Sequence, residues 1–136
     1  MMEFGVFFVV PFDEKVPQGE GTDAIEQVRK VKEQIEEECL DTYRGIIPEE
    51  KRQSHKVWAQ SRIDLDTRVI GVSLRLPIEK GADHKVVPEV IRDDYLYWDF
   101  DELRGAMDAM WEAMGTVAKA HGTEPHAVFD DVRYRL

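Results

Sequence analysis

Lys56–Pro77, KVWAQSRIDLDTRVIGVSLRLP, is the stretch that decides the fold, because it holds two strand patterns in direct succession. Val57, Ala59, Ser61 and Ile63 alternate with Lys56, Trp58, Gln60 and Arg62. After a polar break, Ile70, Val72, Leu74 and Leu76 alternate with Val69, Gly71, Ser73 and Arg75. Successive side chains of a strand point to opposite faces, so each run presents one apolar face and one mixed face. Asp66 and Thr67 supply turn chemistry between the runs, which predicts a hairpin, and Pro77, with no amide hydrogen to donate, ends the second strand.

A helical pattern flanks this hairpin on each side. Upstream, Asp23 with Glu26 makes a capping box, and Ile25, Val28, Val31 and Ile35 recur at helical spacing with Cys39 and Tyr43 extending the stripe. This predicts a helix from Asp23 to Arg44 with Gly45 as its stop. Downstream, Asp99 with Glu102 opens a second stripe of Leu103, Met107, Met110, Met114, Val117 and His121, stopped at Gly122. Ala106, Ala109, Ala113 and Gly105 lie beside that stripe and permit close approach of another element.

Outside the helices lie two more strand patterns. Met2–Phe12, MEFGVFFVVPF, is apolar on both alternating sets, as expected of a central strand. His126–Leu136 alternates Val128, Val132, Tyr134 and Leu136 with Phe129, Asp131, Arg133 and Arg135 and reads as the last strand. Asp13–Gly21, with Pro17, Gly19 and Gly21, reads as a loop, and Ile78–Trp98 is longer than an ordinary connection.

The resulting order, β-α-β-β-α-β, matches a ferredoxin-like α+β fold: a four-stranded antiparallel sheet with two helices on one face. The first and third strands should be central, since the second and last carry the charges suited to edges. At 136 residues the chain suits a single domain spanning 1–136.

Hydrophobic residues at 43% and charged residues at 34% describe a soluble globular composition, and no apolar run reaches the roughly 18 residues of a membrane span. The opening residues lack a basic leader, so a cytoplasmic location is expected. Cys39, alone of its kind, excludes an internal disulfide and leaves open one reactive thiol. A net charge of −10 argues against nonspecific binding to nucleic acid or anionic membrane and favours a protein partner with a basic surface.

Two surfaces stand out. Glu36, Glu37 and Glu38 crowd the negative end of the first helix dipole, and Asp93, Asp94, Tyr95, Tyr97 and Trp98 place aromatics among acids. Together they are the expected partner-binding residues. The ferredoxin-like order leaves one sheet face without helices, where Lys56, Trp58, Arg62, Arg75, Phe129 and Arg133 are expected to point together. Lys51–Arg75 holds six basic against two acidic residues and Glu89–Glu112 two against eight, so the molecule should be polarised.

No catalytic residue, metal site or cofactor is expected. His55, His84, His121 and His126 include no helical pair four apart, and the aspartate pairs lack the glycine and distant glutamate of a calcium loop. The glycines of Gln18–Asp23 precede a helix, yet that segment lacks the lysine of a nucleotide-binding loop and carries Glu20 and Asp23, which repel anions. Three functions follow in order of fit: a non-enzymatic acidic interaction protein (an inhibitor, immunity or accessory subunit); a small ligand-binding protein or enzyme built on the paired sheet faces of a homodimer; and a nucleic-acid binder using the basic, aromatic sheet face.

Overall fold

The computed structural model describes residues 2–12, 22–47, 57–77 and 100–131. Its elements are β1 (Met2–Pro11), α1 (Thr22–Ile46), β2 (Trp58–Asp64), β3 (Val69–Pro77), α2 (Phe100–Ala120) and β4 (His126–Asp131). The strands form one antiparallel sheet in the order β2-β3-β1-β4, with β1 and β3 central, which is the ferredoxin-like arrangement. Both helices cover the same face: α1 packs on β2 and β3, α2 on β1 and β3, and the two pack on each other.

Alternation on the central strands builds the core. Phe4, Val6, Phe8, Val10 and Phe12 from β1 and its end, with Ile70, Val72, Leu74 and Leu76 from β3, point at the helices and are buried. From α1 come Val28, Ile35, Cys39 and Tyr43, and from α2 come Met110, Met114 and Val117. Ala106, Ala109, Ala113 and Ala118 are also buried, so small residues take up the space where α2 approaches its neighbours. The α1 stripe starts later than its spacing predicts, since Ile25 is 45% exposed.

The structure differs from the sequence reading in two places, each for a local reason. α1 continues through Gly45 to Ile46, and the Ile47 amide still donates to the Tyr43 carbonyl at 3.1 Å while the Ile47 side chain is buried. An apolar anchor one turn beyond Tyr43 thus outweighs the weak helix preference of glycine. In the hairpin, Asp64 rather than Asp66 or Thr67 supplies the capping side chain, its Oδ1 accepting from the Asp66 and Thr67 amides at 2.9 and 3.1 Å. Those amides hold the Asp64 carboxyl below the usual range, Thr67 contributing most. The turn closes through Arg68, whose φ of 55° is left-handed; its guanidinium lies 4.8 Å from the Phe12 ring centroid, and its carbonyl accepts from the Phe12 amide. β4 is described to Asp131, and the rest of the expected last strand lies outside the described residues.

Gly122 ends α2 as its position predicts. Its φ is 73°, the Thr123 amide donates to Ala118 O at 2.9 Å and the Gly122 amide to Lys119 O at 3.1 Å, the paired bonds of a left-handed helix cap. Gly122→Ala should therefore cost about 1 kcal/mol, because a Cβ is strained at this φ. Urea unfolding reads the loss, and an unchanged midpoint would show that the cap relaxes freely.

Candidate functional site: a trough along β3

Cross-strand register lays out the sheet face turned away from α1 and α2. Directly paired residues share a face, which gives three rows across β1, β3 and β2: Gly5–Arg75–Trp58, Phe7–Ser73–Gln60 and Val9–Gly71–Arg62. The middle column carries glycine and serine where its flanks carry Phe7, Val9, Gln60 and Arg62. Two small residues at alternate positions of a central strand therefore leave a trough, a hollow of about 300 Å³ in this face. Nothing lies within 4 Å of the point where a Cβ on Gly71 would stand.

Arg75 closes one end of the trough. Its side chain lies across Gly5, where a Cβ would come within 2.9 Å of Nη1 and 3.1 Å of Cδ, so Gly5 is the notch that accepts it. Nη1 stands 3.4 Å from Glu3 Oε1, and Nε donates to Ser73 Oγ at 3.2 Å, which itself donates to the Gln60 carbonyl at 3.4 Å. Glu3 and Ser73 are 4% and 6% exposed. A buried carboxylate, a guanidinium and a hydroxyl thus form one connected floor, and a buried charge is retained here because it is paired.

The walls differ in character. On the β1 side the Phe7 ring is half-buried, 5.4 Å from the His126 ring on β4, and Val9 is 41% exposed. On the β2 side Gln60 and Arg62 are exposed and Trp58 is half-buried. Among the described residues the Arg62 guanidinium makes no hydrogen bond or salt bridge. Asp64, next along the same face, is committed to the hairpin turn, with the Arg62 charge the last of the causes that lower its carboxyl.

Phe129 does not belong to this face. It pairs with Phe4, so its ring lies on the helix side of the edge strand, 5.2 Å from the Phe4 ring and 54% exposed. The β4 residues that do share the outer face are His126, Val128 and Asp130, opposite Phe7, Gly5 and Glu3. The expectation fails on register, since one residue of offset moves every side chain of a strand to the other face. Trp58, Arg62 and Arg75 share the outer face, whereas Lys56 and Arg133 lie outside the described residues.

The acidic triplet does not form one surface either. Consecutive helical residues are turned about 100° from one another, so Glu36, Glu37 and Glu38 diverge. Glu36 turns to the sheet edge, where the Ser61 hydroxyl donates to its Oε2. Glu38 reaches the end of α2, its Oε2 3.1 Å from His121 Nε2 with the side chain still 44% exposed, and Glu37 is turned to solvent. The acidic stripe on the outer face of α1 is instead Glu33, Glu37 and Asp41, four residues apart, around a shallow hollow of about 180 Å³ completed by Glu36, Leu40 and Arg44. Arg44 lies 3.9 Å from Asp41. That spacing is present in the sequence and is the signal that a run of three adjacent glutamates obscures. Asp93, Asp94, Tyr95, Tyr97 and Trp98 lie outside the described residues.

The remaining reactive groups are occupied in packing. The Cys39 thiol is buried and pushed up to about 12, by burial first and then by the Glu38 and Glu36 charges, which keeps it protonated and inert at neutral pH. His121 and His126 flank one turn yet part to opposite faces, His121 over the Phe8 ring at 6.4 Å and His126 beside Phe7. Among the described residues no three His, Cys, Asp or Glu side chains converge as metal ligands would. No described helix is long and apolar enough to cross a membrane. Set against protein-family models, curated proteins and solved structures, the chain matches none.

Proposed function

We propose that this chain is a binding protein whose ligand sits in the β3 trough. The observation that carries this reading is the combination of a bare backbone at Gly71 with a preorganised floor, because ligand sites are concave, largely preformed and fixed by a few placed polar groups. The floor groups are built to hold and orient: Glu3 is bound to Arg75, and Ser73 is oriented by Arg75 and Gln60. This gives weight to a ligand-binding role over a catalytic one. The hollow of about 300 Å³ stands at the lower end of the roughly 300–1,000 Å³ of small-molecule sites, which fits a compact ligand.

Amide spectra of the labelled chain, titrated with neutral, anionic and cationic ring fragments, test the reading. Shifts should cluster at Phe7, Gln60, Gly71 and the Trp58 indole and spare the outer face of α1. Shifts confined to other surfaces would move the site elsewhere.

A second reading rests on the stripe of Glu33, Glu37 and Asp41: a partner with a basic surface docking along α1, as expected of an acidic interaction protein. Exposed charges steer encounter more than they hold complexes. With a partner recovered from the native source, replacing all three by their amides should slow association severalfold, and added salt should do the same. Glu36→Gln with Glu38→Gln should instead lower stability, since those carboxylates bind within the chain.

A further inference from the structure

Resting on the trough as the site, we infer that its ligand is a small organic anion with a flat apolar body, the acid group held by Arg62 and the body laid over the backbone of Gly71. The charge of the ligand follows from which donors are already used. Arg75 is neutralised by Glu3 and also donates to Ser73, and the Ser73 hydroxyl donates to the Gln60 carbonyl. Asp64, the nearest acid along the face, has its Oδ1 turned to the hairpin amides. Arg62 is left as an exposed guanidinium beside the hollow with no hydrogen bond or salt bridge among the described residues. Its planar fork of donors matches a carboxylate or phosphate in two parallel bonds. In a chain of net charge −10, Arg62 and Arg75 stand on this side of the face with a paired glutamate and a turn-bound aspartate, while Asp130 lies on the opposite edge strand across from Glu3, so the β2 side at Arg62 is the place where an anion is received.

The shape of the ligand follows from Gly71. The strands on either side are each about 4.8 Å away, so side chains of β1 and β2 stand roughly 10 Å apart across a floor of bare backbone. Directly across this floor from Arg62, through the same row, stands Val9, with Phe7 in the next row. An anion bound at Arg62 therefore directs the rest of the molecule over Gly71 against an apolar wall. A flat ring fills such a slot, whereas a bare inorganic anion leaves Val9 and Phe7 uncovered.

Four probes separate charge from shape: benzoate and phenyl phosphate have both features, acetate has the charge alone, and benzamidine has the flat body with the opposite charge. Titrated into the full chain and read from the amides of Phe7, Gly71 and Gln60, benzoate or phenyl phosphate should bind at least tenfold more tightly than acetate or benzamidine. Whichever of the two binds better identifies the acid group. Arg62→Gln, an exposed change that leaves the fold intact, should remove that tenfold preference for the anion. Gly71→Ala should weaken binding severalfold while raising the unfolding midpoint, because the added methyl meets nothing within 4 Å and glycine is unfavourable inside a strand. A loss of stability cannot produce that pair of changes. If benzamidine binds as well as benzoate, or Arg62→Gln binds benzoate like the parent, the anion assignment is wrong while the trough remains the site. If no probe moves these amides, the anion assignment falls with the trough reading.

Discussion

Glu3→Ala should lower the stability of this protein by about 3 kcal/mol, although the change removes no apolar surface from the core. Glu3 sits on β1 with its side chain 5% exposed, 3.4 Å from the Arg75 guanidinium, whose own side chain is 18% exposed. Truncation leaves that guanidinium poorly solvated and short of an acceptor, and orphaning a largely buried charge is among the few single changes with so large an effect. Replacing both partners by apolar residues, Glu3→Leu with Arg75→Leu, should recover most of the loss, since the penalty lies in the orphaned charge and not in the missing pair. Gly5→Ala should act in the same direction by pushing Arg75 off its seat. Urea denaturation of the parent and these variants reads the comparison. A Glu3→Ala protein within about 0.5 kcal/mol of the parent would mean that water reaches the pair and screens it.

Raising the pH above 9 should destabilise the protein steeply. Cys39 is pushed from its ordinary value of 9.0 up to about 12, chiefly by burial. Tyr43, one turn further along α1, is also pushed up from 10.0 by burial. The sign follows from proton counts. Between pH 9 and 12 the native chain keeps the thiol proton while the unfolded chain has released it, so the unfolded state binds fewer protons and stability falls as pH rises. Each tenfold difference in proton affinity between the two states corresponds to about 1.4 kcal/mol, so the thiol alone accounts for about 4 kcal/mol across its window. Full stability from these two groups is present below pH 9. Cys39→Ala should flatten the decline between pH 9 and 11, and Cys39→Ala with Tyr43→Phe should flatten it further. A parent and a Cys39→Ala protein with parallel pH profiles would contradict the assignment.

Much of the fold is legible in the sequence because its signals are local. Alternation at Val69–Pro77, the continuous apolar run of Met2–Pro11, the helical stripes of Val28–Tyr43 and Met107–Val117, and the glycine stop at position 122 each depend on a few neighbouring residues. Central positions for β1 and β3 are legible too, since those strands are the most apolar. The site is less so. The period of two groups Trp58, Arg62 and Arg75 correctly, yet it also assigns Phe129 to their face, because the register of β4 against β1 is set by pairing and not by the strand's own pattern. Adjacency in the chain makes Glu36, Glu37 and Glu38 look like a unit, while the helix sends them to Ser61, to solvent and to His121.

What the sequence determined by itself is therefore the kind and order of the elements and which face of each is apolar, since hydrophobic period and capping residues are properties of short segments. Tertiary structure alone decided three things. It brought Arg75 of β3 to Glu3 and Gly5 of β1, distant in the chain, around one buried ion pair on the outer face. It set Gly71 and Ser73 between taller neighbours so that two small residues became a trough, and it left Arg62 as the exposed cation beside it. Each of these is a relation between strands, and a relation between strands exists only once the register is set by the packing of every side chain at the same time.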